Sequence, residues 1–269
     1  MNAVLKPPPM PDIQSRADDR ALAIDAVGIR QLRYPVTIQA GGTGQATIAT
    51  FSMSVALPAS ARGTHMSRFV ELLEARTAAL DTAGFRPLVR EMLARLGAPS
   101  GAIEMRFPLF LAKRAPVSGS EGLVDYDASW HGTVAPGGGY GFAMKVAVPV
   151  TSLCPCSKEI SKYGAHNQRS VISIDAEIDG AMEMEELIAI AERSASCEVY
   201  GLLKRADEKF VTERAYENPK FAEDLVRDAA LELNRDRRIV RYTVEAENFE
   251  SIHNHSAYAR ISGPAAAGA

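Results

Sequence analysis

The chain has 269 residues, of which 46% are hydrophobic, and its formal net charge is −3. This length and composition are typical of a globular protein that buries a sizeable core in one large domain or two modest ones. No surplus of cations is available to neutralise phosphates, so neither nucleic acid nor an anionic membrane is expected as a partner.

Residues 1–20 are predicted to form a flexible arm, because Pro7-Pro8-Pro9 and the mixed charges that follow show no apolar periodicity. The arm also lacks the apolar stretch of a signal peptide, and no later run approaches the roughly 18 apolar residues of a membrane span. A cytoplasmic location is therefore expected. In that reducing compartment Cys154, Cys156 and Cys197 would be available as thiolates or metal ligands.

Residues 21–136 are predicted to form a first module with the order strand, strand, helix, helix, strand, strand. Helical spacing of apolar residues predicts one helix from Phe69 to Leu80 and a second that ends at Gly97. Alternation of apolar residues predicts the strands, which lie at 32–39, 47–57, 103–111 and 123–134.

Residues 137–265 repeat that order and are predicted to form a second, similar module. One helix is predicted over 184–195, and another is predicted to begin at Asn218-Pro219, a plausible N-cap followed by proline at the first helical position. Apolar alternation predicts the strands of this module at 142–150, 172–178, 240–246 and 255–261.

This order of elements predicts an α+β fold with antiparallel sheets. Adjacent strands joined by short turns pair antiparallel, and the helices of each module can cover only one face of the sheet. The helix-free face is then open for burial against another subunit. We therefore expect the chain to form an oligomer, for which a barrel is one arrangement.

The strongest candidate for a functional site is the segment Cys154–Ser170, CPCSKEISKYGAHNQRS. Thiolate and imidazole groups, here from Cys154, Cys156 and His166, are ligands that zinc prefers, and a metal site with an open position activates water. The spacing is not that of a zinc finger and is equally compatible with two small buried cysteines. The density of polar residues favours the metal site, because such a segment offers little to a core.

Three other polar clusters have both a functional and a structural interpretation. Glu250, His253 and His255 precede the last strand and could move protons or ligate a metal, or could form a solvated turn. The charge run at 204–209 is typical of a solvated surface. Gly63–Arg68 opens a helix whose N–H groups could hold an anion, although such helix starts are common without a ligand. The sequence contains neither a P-loop nor a dinucleotide-binding loop in its required setting.

These motifs together resemble the type IB family of GTP cyclohydrolase I, metal-dependent enzymes that open the folate pathway in many bacteria. The resemblance covers nearly the whole chain after the arm and is carried by Gly63–Phe69, Cys154–Ser170, Val211–Asp224 and Asn248–His255. It implies a tunnelling fold with two modules per chain, and a homotetramer whose active sites lie at subunit interfaces. It also implies the conversion of GTP and water to 7,8-dihydroneopterin triphosphate and formate with Zn²⁺ or Mn²⁺.

The resemblance implies that Cys154, His166 and Glu208 are the metal ligands and that Glu223 anchors the guanine. A carboxylate such as Glu223 can accept both the N1–H and the exocyclic amine of guanine, which adenine cannot reproduce. A carboxylate ligand also hardens the metal site, so manganese should enter it as well as zinc. By spacing alone Cys156 is as good a ligand as Cys154, and only the resemblance selects Cys154.

The implied reaction also needs groups that move protons as the imidazole ring of the purine opens and formate leaves. Glu250, His253 and His255 are the candidates, and Cys154 joins them as a catalytic residue. Basic side chains could contact the triphosphate, and the candidates are Lys158, Arg169, Lys204, Arg205, His65 and Arg68.

Two other functions are compatible with the fold that the resemblance implies. One is a nitrile reductase of deazaguanine metabolism, in which a cysteine is a covalent nucleophile and a nicotinamide cofactor reduces the adduct. The other is a non-enzymatic protein that binds a purine, a pterin or a metal without turnover. The histidine and acidic residues that accompany the cysteines favour the cyclohydrolase.

Overall fold

The computed structural model describes residues 11–14, 16–40, 42–76 and 78–264. Within these residues the chain forms six helices and nine strands. The helices are α1 (Ser67–Glu74), α2 (Thr82–Leu96), α3 (Pro155–Ile160), α4 (Met184–Ser194), α5 (Arg205–Glu217) and α6 (Ala222–Leu233). The strands are β1 (Ile24–Ala40), β2 (Thr43–Leu57), β3 (Gly101–Arg114), β4 (Glu121–Val134), β5 (Tyr140–Leu153), β6 (Asn167–Ile178), β7 (Cys197–Glu198), β8 (Ile239–Asn248) and β9 (Ala257–Pro264).

The strands form one continuous sheet in the order β1-β2-β3-β4-β5-β6-β8-β9, with β7 paired to β5. Every strand pairing is antiparallel, as the sequence predicts. The predicted boundary between the two modules falls in the turn between β4 and β5, and these two strands are themselves paired. The two modules therefore share a single sheet.

Adjacent rows of paired residues point to opposite faces of this sheet, and the two rows described next differ in chemistry. One row of directly paired residues is buried beneath the helices and consists of Phe51, Met105, Trp130, Met144, Ala176 and Tyr242. The adjacent row points to the helix-free face and is polar on all eight strands: Arg33, Thr50, Arg106, Ser129, Lys145, Asp175, Thr243 and Ser262. We call this second set the polar row. A shift of one residue along each strand exchanges core for surface because side chains alternate.

The polar row changes the expectation that the helix-free face is buried against another subunit. Burying charged side chains such as Arg106, Lys145 and Asp175 without compensating partners would cost free energy. This part of the face therefore suits contact with water better than contact with an apolar surface.

In the first module, helix α2 ends at the predicted residue, whereas helix α1 is shorter than predicted. Asp81 caps α2 by accepting a hydrogen bond from the Gly84 N–H at 2.6 Å, and Gly97 ends the helix with a φ of 62°. α1 is shorter than predicted because Leu80 pairs with β1 instead: its N–H donates to the Thr37 carbonyl at 2.8 Å, and its side chain is buried.

The second module contains a helix, α5, that the sequence pattern did not predict. Only Asp207 and Ala215 of α5 are buried, so the helix has no apolar stripe to produce a periodic signal. The prediction that a helix begins at Asn218-Pro219 is also wrong. Asn218 instead ends α5. Its N–H donates a hydrogen bond to the Arg214 carbonyl at 3.1 Å, and its side-chain amide donates to the Ala195 carbonyl at 2.9 Å. α6 consequently begins at Ala222.

Strands β4 and β5 separate beyond the pair Asp127–Ala147, and we call the resulting gap the β4–β5 fork. Strand β7 enters the fork and pairs with β5 at Val150 and Thr151. The chain then runs so close to β4 that a Cβ on Gly201 would lie 2.2 Å from the Leu123 carbonyl oxygen. Glycine is therefore required there, on the segment that leads into α5.

The described part of the predicted N-terminal arm forms main-chain hydrogen bonds with residues that precede α1. The Asp18 N–H donates to the Ser60 carbonyl at 3.2 Å, and the Gly63 N–H donates to the Gln14 carbonyl at 3.2 Å. The first ten residues of the arm lie outside the described residues. In the part of the chain that the structure covers, no helix combines the length and the apolar character needed to cross a membrane.

Candidate active site

Cys154 and His166 are held together by the main chain at the end of β5. The Cys154 N–H donates to the His166 carbonyl at 3.1 Å, and the His166 N–H donates to the Ser157 hydroxyl at 3.1 Å. Cys154 is also the N-cap of α3, where its sulfur accepts a hydrogen bond from the Ser157 N–H at 3.4 Å. Cys154 is half-buried, whereas Cys156 is exposed in the first turn of α3.

The imidazole of His166 contacts two acceptor groups through one nitrogen. Its Nδ1 lies 2.8 Å from Oε1 of Gln168 and 3.8 Å from Oε2 of Glu250. In the parts of the chain that the structure describes, no hydrogen bond or ion pair involves Nε2 of His166. This ring nitrogen is therefore available as a ligand.

Glu250 is the predicted proton-transfer residue that the structure places against His166. The Phe249 N–H donates to the Arg169 carbonyl at 3.0 Å and so brings the turn after β8 to the start of β6. His253 and His255 lie in the exposed part of the same turn, with their rings stacked at a centroid distance of 5.2 Å. Among these three candidates, the described contacts of His166 include Glu250, at 3.8 Å, and neither histidine.

The two carboxylates that the resemblance implies lie on different helices. Glu208 is exposed in the first turn of α5, and Glu223 is exposed in the first turn of α6. The Lys220 N–H donates to the Leu153 carbonyl at 3.0 Å, so the chain enters α6 beside Cys154. Among the described residues, no three side chains of the types His, Cys, Asp and Glu are close enough together to hold a metal. A single chain therefore joins the main chains of two of the implied ligand residues, Cys154 and His166, without bringing Glu208 to them.

A cavity of about 620 Å³ lies beside this site. Its walls are residues 162–165 and Asn167, Leu153 at the end of β5, and the face of α5 that carries Thr212 and Tyr216, so Cys154 and His166 adjoin the cavity without lining it. Glu208 lies one helical turn before Thr212, whose hydroxyl donates to the Glu208 carbonyl at 2.7 Å. A larger cavity, of about 830 Å³, lies on the helix-free face across β1 to β5 and is lined by none of the predicted site residues.

Six basic residues are candidates to bind the triphosphate, and three of them are already in contact with other groups of the protein. Lys158 donates to the Tyr216 carbonyl, and its ammonium lies 4.4 Å from the centre of the Tyr216 ring. His65 is 3.3 Å from a carboxylate oxygen of Asp12, and Arg68 donates to the Arg95 carbonyl at 3.1 Å. The other candidates, Arg169, Lys204 and Arg205, are exposed.

Asp207, the neighbour of Glu208, is a buried carboxylate that the sequence interpretation missed. It accepts hydrogen bonds from the N–H groups of Val117, Ser118 and Lys204, each at 2.8 Å, and from the Ser118 hydroxyl at 2.6 Å. Burial opposes ionisation of Asp207, but these donors outweigh it and hold the pKa of the carboxyl well below its ordinary value. The β3–β4 turn of the first module thereby fixes the start of α5.

Cys197 is a small buried residue at the start of β7. Burial, reinforced by the nearby Glu198, raises the pKa of its thiol to about 11. The thiolate that a nucleophile or metal ligand requires is thus disfavoured at this position.

Comparison with known proteins identifies relatives over nearly the whole chain. The family model for type I GTP cyclohydrolase folE2 matches residues 10–259. GTP cyclohydrolase FolE2 of Paraburkholderia phymatum is 58% identical over 253 residues, which cover 94% of each chain. GTP cyclohydrolase FolE2 of Burkholderia pseudomallei is 59% identical over 253 residues, which cover 94% of this chain and 95% of the relative.

Solved structures with the same architecture are far more distant in sequence. A highly active mutant of Bacillus sp. TB-90 urate oxidase superposes with a TM-score of 0.52 at 8% identity, covering 90% of this chain and all of that one. Uricase from Arthrobacter globiformis gives a TM-score of 0.50 at 7% identity, covering 89% and 93% of the two chains. This likeness concerns the fold alone and is consistent with the tunnelling fold expected from the sequence.

The motif-based resemblance and the full-length matches agree on one family. The matched residues 10–259 include the Cys154–His166 pair, Glu208, Glu223 and Glu250. The chain therefore belongs to the type I GTP cyclohydrolase FolE2 family.

Proposed function

We propose that this chain is a GTP cyclohydrolase that converts GTP and water to 7,8-dihydroneopterin triphosphate and formate, the first step of tetrahydrofolate biosynthesis. The observation that carries the proposal is the 58% identity to a GTP cyclohydrolase FolE2 over 94% of both chains. The local geometry supports it, because the main chains of Cys154 and His166 are hydrogen-bonded to each other, and the imidazole keeps a free nitrogen, beside a cavity of ligand size.

We also propose that Cys154 and His166 bind a divalent ion, Zn²⁺ or Mn²⁺. Sulfur and imidazole nitrogen suit zinc, and the free Nε2 of His166 fits the role of a ligand. Glu208 is proposed to complete the set in the assembled protein, since it is exposed and not gathered with the other two in one chain. When bound, such an ion would supply the Lewis acidity that makes water a nucleophile near neutral pH.

The remaining chemistry is assigned to side chains of this chain. Glu250, which lies 3.8 Å from His166 Nδ1, is proposed to hold or move a proton as the purine ring opens, with His253 and His255 as the other candidates. Glu223 is proposed to accept the N1–H and amine protons of guanine. Its place in the first turn of α6, three residues after the Lys220–Leu153 hydrogen bond, keeps it near the Cys154 segment.

The active form is proposed to be a homotetramer with active sites at subunit interfaces. Several large apolar side chains around the site are exposed in the single chain, and a neighbouring subunit would bury them. They are Ile160, Tyr163, Phe249 and Ile252. Light scattering coupled to size-exclusion chromatography measures the assembly directly, and a monomeric mass for active protein would contradict this part of the proposal.

The test of the function is to incubate purified protein, loaded with zinc or manganese, with GTP. We expect release of formate together with the fluorescence of a pterin product, and neither signal with ATP as the control. If neither signal appears with either metal, the cyclohydrolase proposal is wrong. Consumption of a reduced nicotinamide cofactor with a nitrile substrate would instead favour the reductase, and metal or purine binding without turnover would favour a binding protein.

A further inference from the structure

A buried set of polar side chains lies behind His166, and we call it the Gln168 network. It consists of Gln168 on β6 together with Ser152 on β5 and Ser170 on β6. Gln168 is only 7% exposed, and both serines are fully buried. The Gln168 amide nitrogen donates to the Ser152 hydroxyl at 2.8 Å, and the Ser170 hydroxyl donates to the same oxygen at 2.9 Å.

The two ends of the Gln168 amide have different partners. Its nitrogen points to Ser152, which is directly opposite Gln168 in the β5–β6 ladder, and its oxygen lies 2.8 Å from Nδ1 of His166. The carboxylate of Glu250 approaches the same Nδ1 at 3.8 Å. Two acceptor oxygens on one ring nitrogen favour the tautomer in which Nδ1 carries the hydrogen, because a bare Nδ1 would face both of them with a lone pair.

We infer that Gln168 is a positioning residue that fixes the tautomer and the ring orientation of His166, so that Nε2 presents its lone pair to a divalent ion. The inference rests on the proposed metal role of His166. Histidines that bind metals generally donate their second ring N–H to an oxygen acceptor, and loss of that acceptor weakens metal binding. Here the acceptor is an amide that is itself held in place by the buried hydroxyl of Ser152.

Packing alone does not require an amide at this position. A methionine would fill a similar volume without a polar group to satisfy, whereas a buried glutamine costs free energy unless both ends are hydrogen-bonded. A neutral acceptor also avoids a second negative charge beside Glu250. The glutamine therefore orients His166 while Glu250 remains the carboxylate at Nδ1.

The inference is tested with the variant Gln168→Met in the full-length protein. Removing the acceptor should weaken binding of Zn²⁺ or Mn²⁺ by about 10- to 100-fold, as measured by competition with a chelator. In metal-free protein labelled with ¹⁵N-histidine, long-range ¹H–¹⁵N spectra should show wild-type His166 with a pyrrole-type Nδ1 and a pyridine-type Nε2. The variant should show a mixture of both tautomers.

Two further variants separate positioning from folding. Gln168→Glu keeps an acceptor at Nδ1 and, with the Ser152 hydroxyl as donor, should retain the wild-type tautomer even if metal affinity changes. Gln45→Met is the matched control, because Gln45 exchanges two hydrogen bonds with the main chain of Phe110 far from the site. That control should leave metal affinity and the His166 spectrum unchanged.

The outcomes distinguish this inference from the proposed function. Unchanged metal affinity and an unchanged His166 tautomer in Gln168→Met would overturn the inference, even if the wild type releases formate from GTP. Conversely, the expected loss in Gln168→Met, observed in a protein that releases no formate, would overturn the function and leave the positioning role in place.

Discussion

The hairpin that opens each module is built in two ways. In the first module, only residues 41–42 separate β1 from β2, and Gly42 adopts a positive φ of 76°. In the second module, the connection between β5 and β6 spans 154–166 and contains α3, Cys154 and His166. The first two strands are thus separated by two residues in one module and by a long connection that carries the candidate site in the other.

This difference shows how a repeated scaffold can acquire a site in one copy. The long connection does not extend freely from the sheet, because Cys154 and His166 are joined by a main-chain hydrogen bond and Ser157 bonds to both. The ladder between β5 and β6 continues to its last pair, Leu153–Asn167. The hairpin therefore holds the main chains of Cys154 and His166 side by side, and loops held on a scaffold in this way often carry function.

The largest expected effect comes from removing the thiol that distinguishes the second hairpin. Cys154→Ala should lose its bound metal and at least about a thousandfold in GTP turnover, or roughly 4 kcal/mol in the activation barrier. Metal content by elemental analysis and formate release are the measurements. Cys156→Ala is the matched control and should keep its metal. Full activity and metal content in Cys154→Ala would exclude Cys154 as the ligand, and loss of both in Cys156→Ala would assign the role to Cys156.

A smaller loss is expected at the substrate contact outside the hairpin. Glu223→Gln replaces a carboxylate that is proposed to accept two hydrogen bonds from guanine. Hydrogen bonds to charged groups contribute about 1.5–3 kcal/mol, so kcat/KM for GTP should fall about 10- to 100-fold. Metal content should not change. Glu232→Gln, at the other end of α6 in a surface ion pair with Arg193, is the control. Wild-type kcat/KM in Glu223→Gln would contradict the guanine assignment.

The β4–β5 fork offers a test of how the first module supports the site in the second. Gly201→Ala would place a methyl group about 2.2 Å from the Leu123 carbonyl oxygen, and neither main chain can move away freely. Overpacking of this kind typically costs about 1–3 kcal/mol of unfolding free energy. The segment before α5 should shift as well, with a moderate loss of activity. Gly139→Ala, where the new methyl group has nothing within 4 Å, is the control for urea unfolding. Equal stability of the two variants would show that the fork tolerates movement.

The variant with the smallest expected effect on activity is Asp207→Asn, which should instead change how folding stability depends on pH. The pKa of Asp207 is lowered in the folded state from an ordinary value of 3.8, so its stabilising effect is fully present above that value and is lost as the pH falls below it. Asp207→Asn should therefore be less stable than the wild type at neutral pH, with a difference that shrinks toward about pH 3. Urea midpoints across this range provide the measurement. A difference that stays constant with pH would show that ionisation of Asp207 does not contribute.

The sequence predicted most of the sheet because alternation survives wherever one face of a strand is buried. The predicted strand at 47–57 lies within β2, and that at 103–111 lies within β3. Helix α5 was not predicted because it lacks such a signal: its surface is polar nearly all round, and it has no periodic apolar stripe. The start of α6 was misplaced because Asn218 suits either end of a helix, and only its bond to the Ala195 carbonyl decides between them.

The site was predictable only where residue chemistry is distinctive. Cys154 and His166 were found because thiol and imidazole groups are uncommon and close in sequence, and the structure places them together. Gln168 was seen only as one polar residue among many, because its role depends on the facing strand. In the pair Asp207-Glu208, sequence could not show which carboxylate is buried, since the donors of the β3–β4 turn lie about ninety residues earlier.

The polar row also bears on how the protein is made. In a newly synthesised chain, an exposed apolar sheet face would promote aggregation. Hydrophilic side chains of this row on eight neighbouring strands keep that part of the uncovered face in contact with water in the isolated chain. The polar row therefore lowers the tendency of an isolated chain to aggregate through that part of the face.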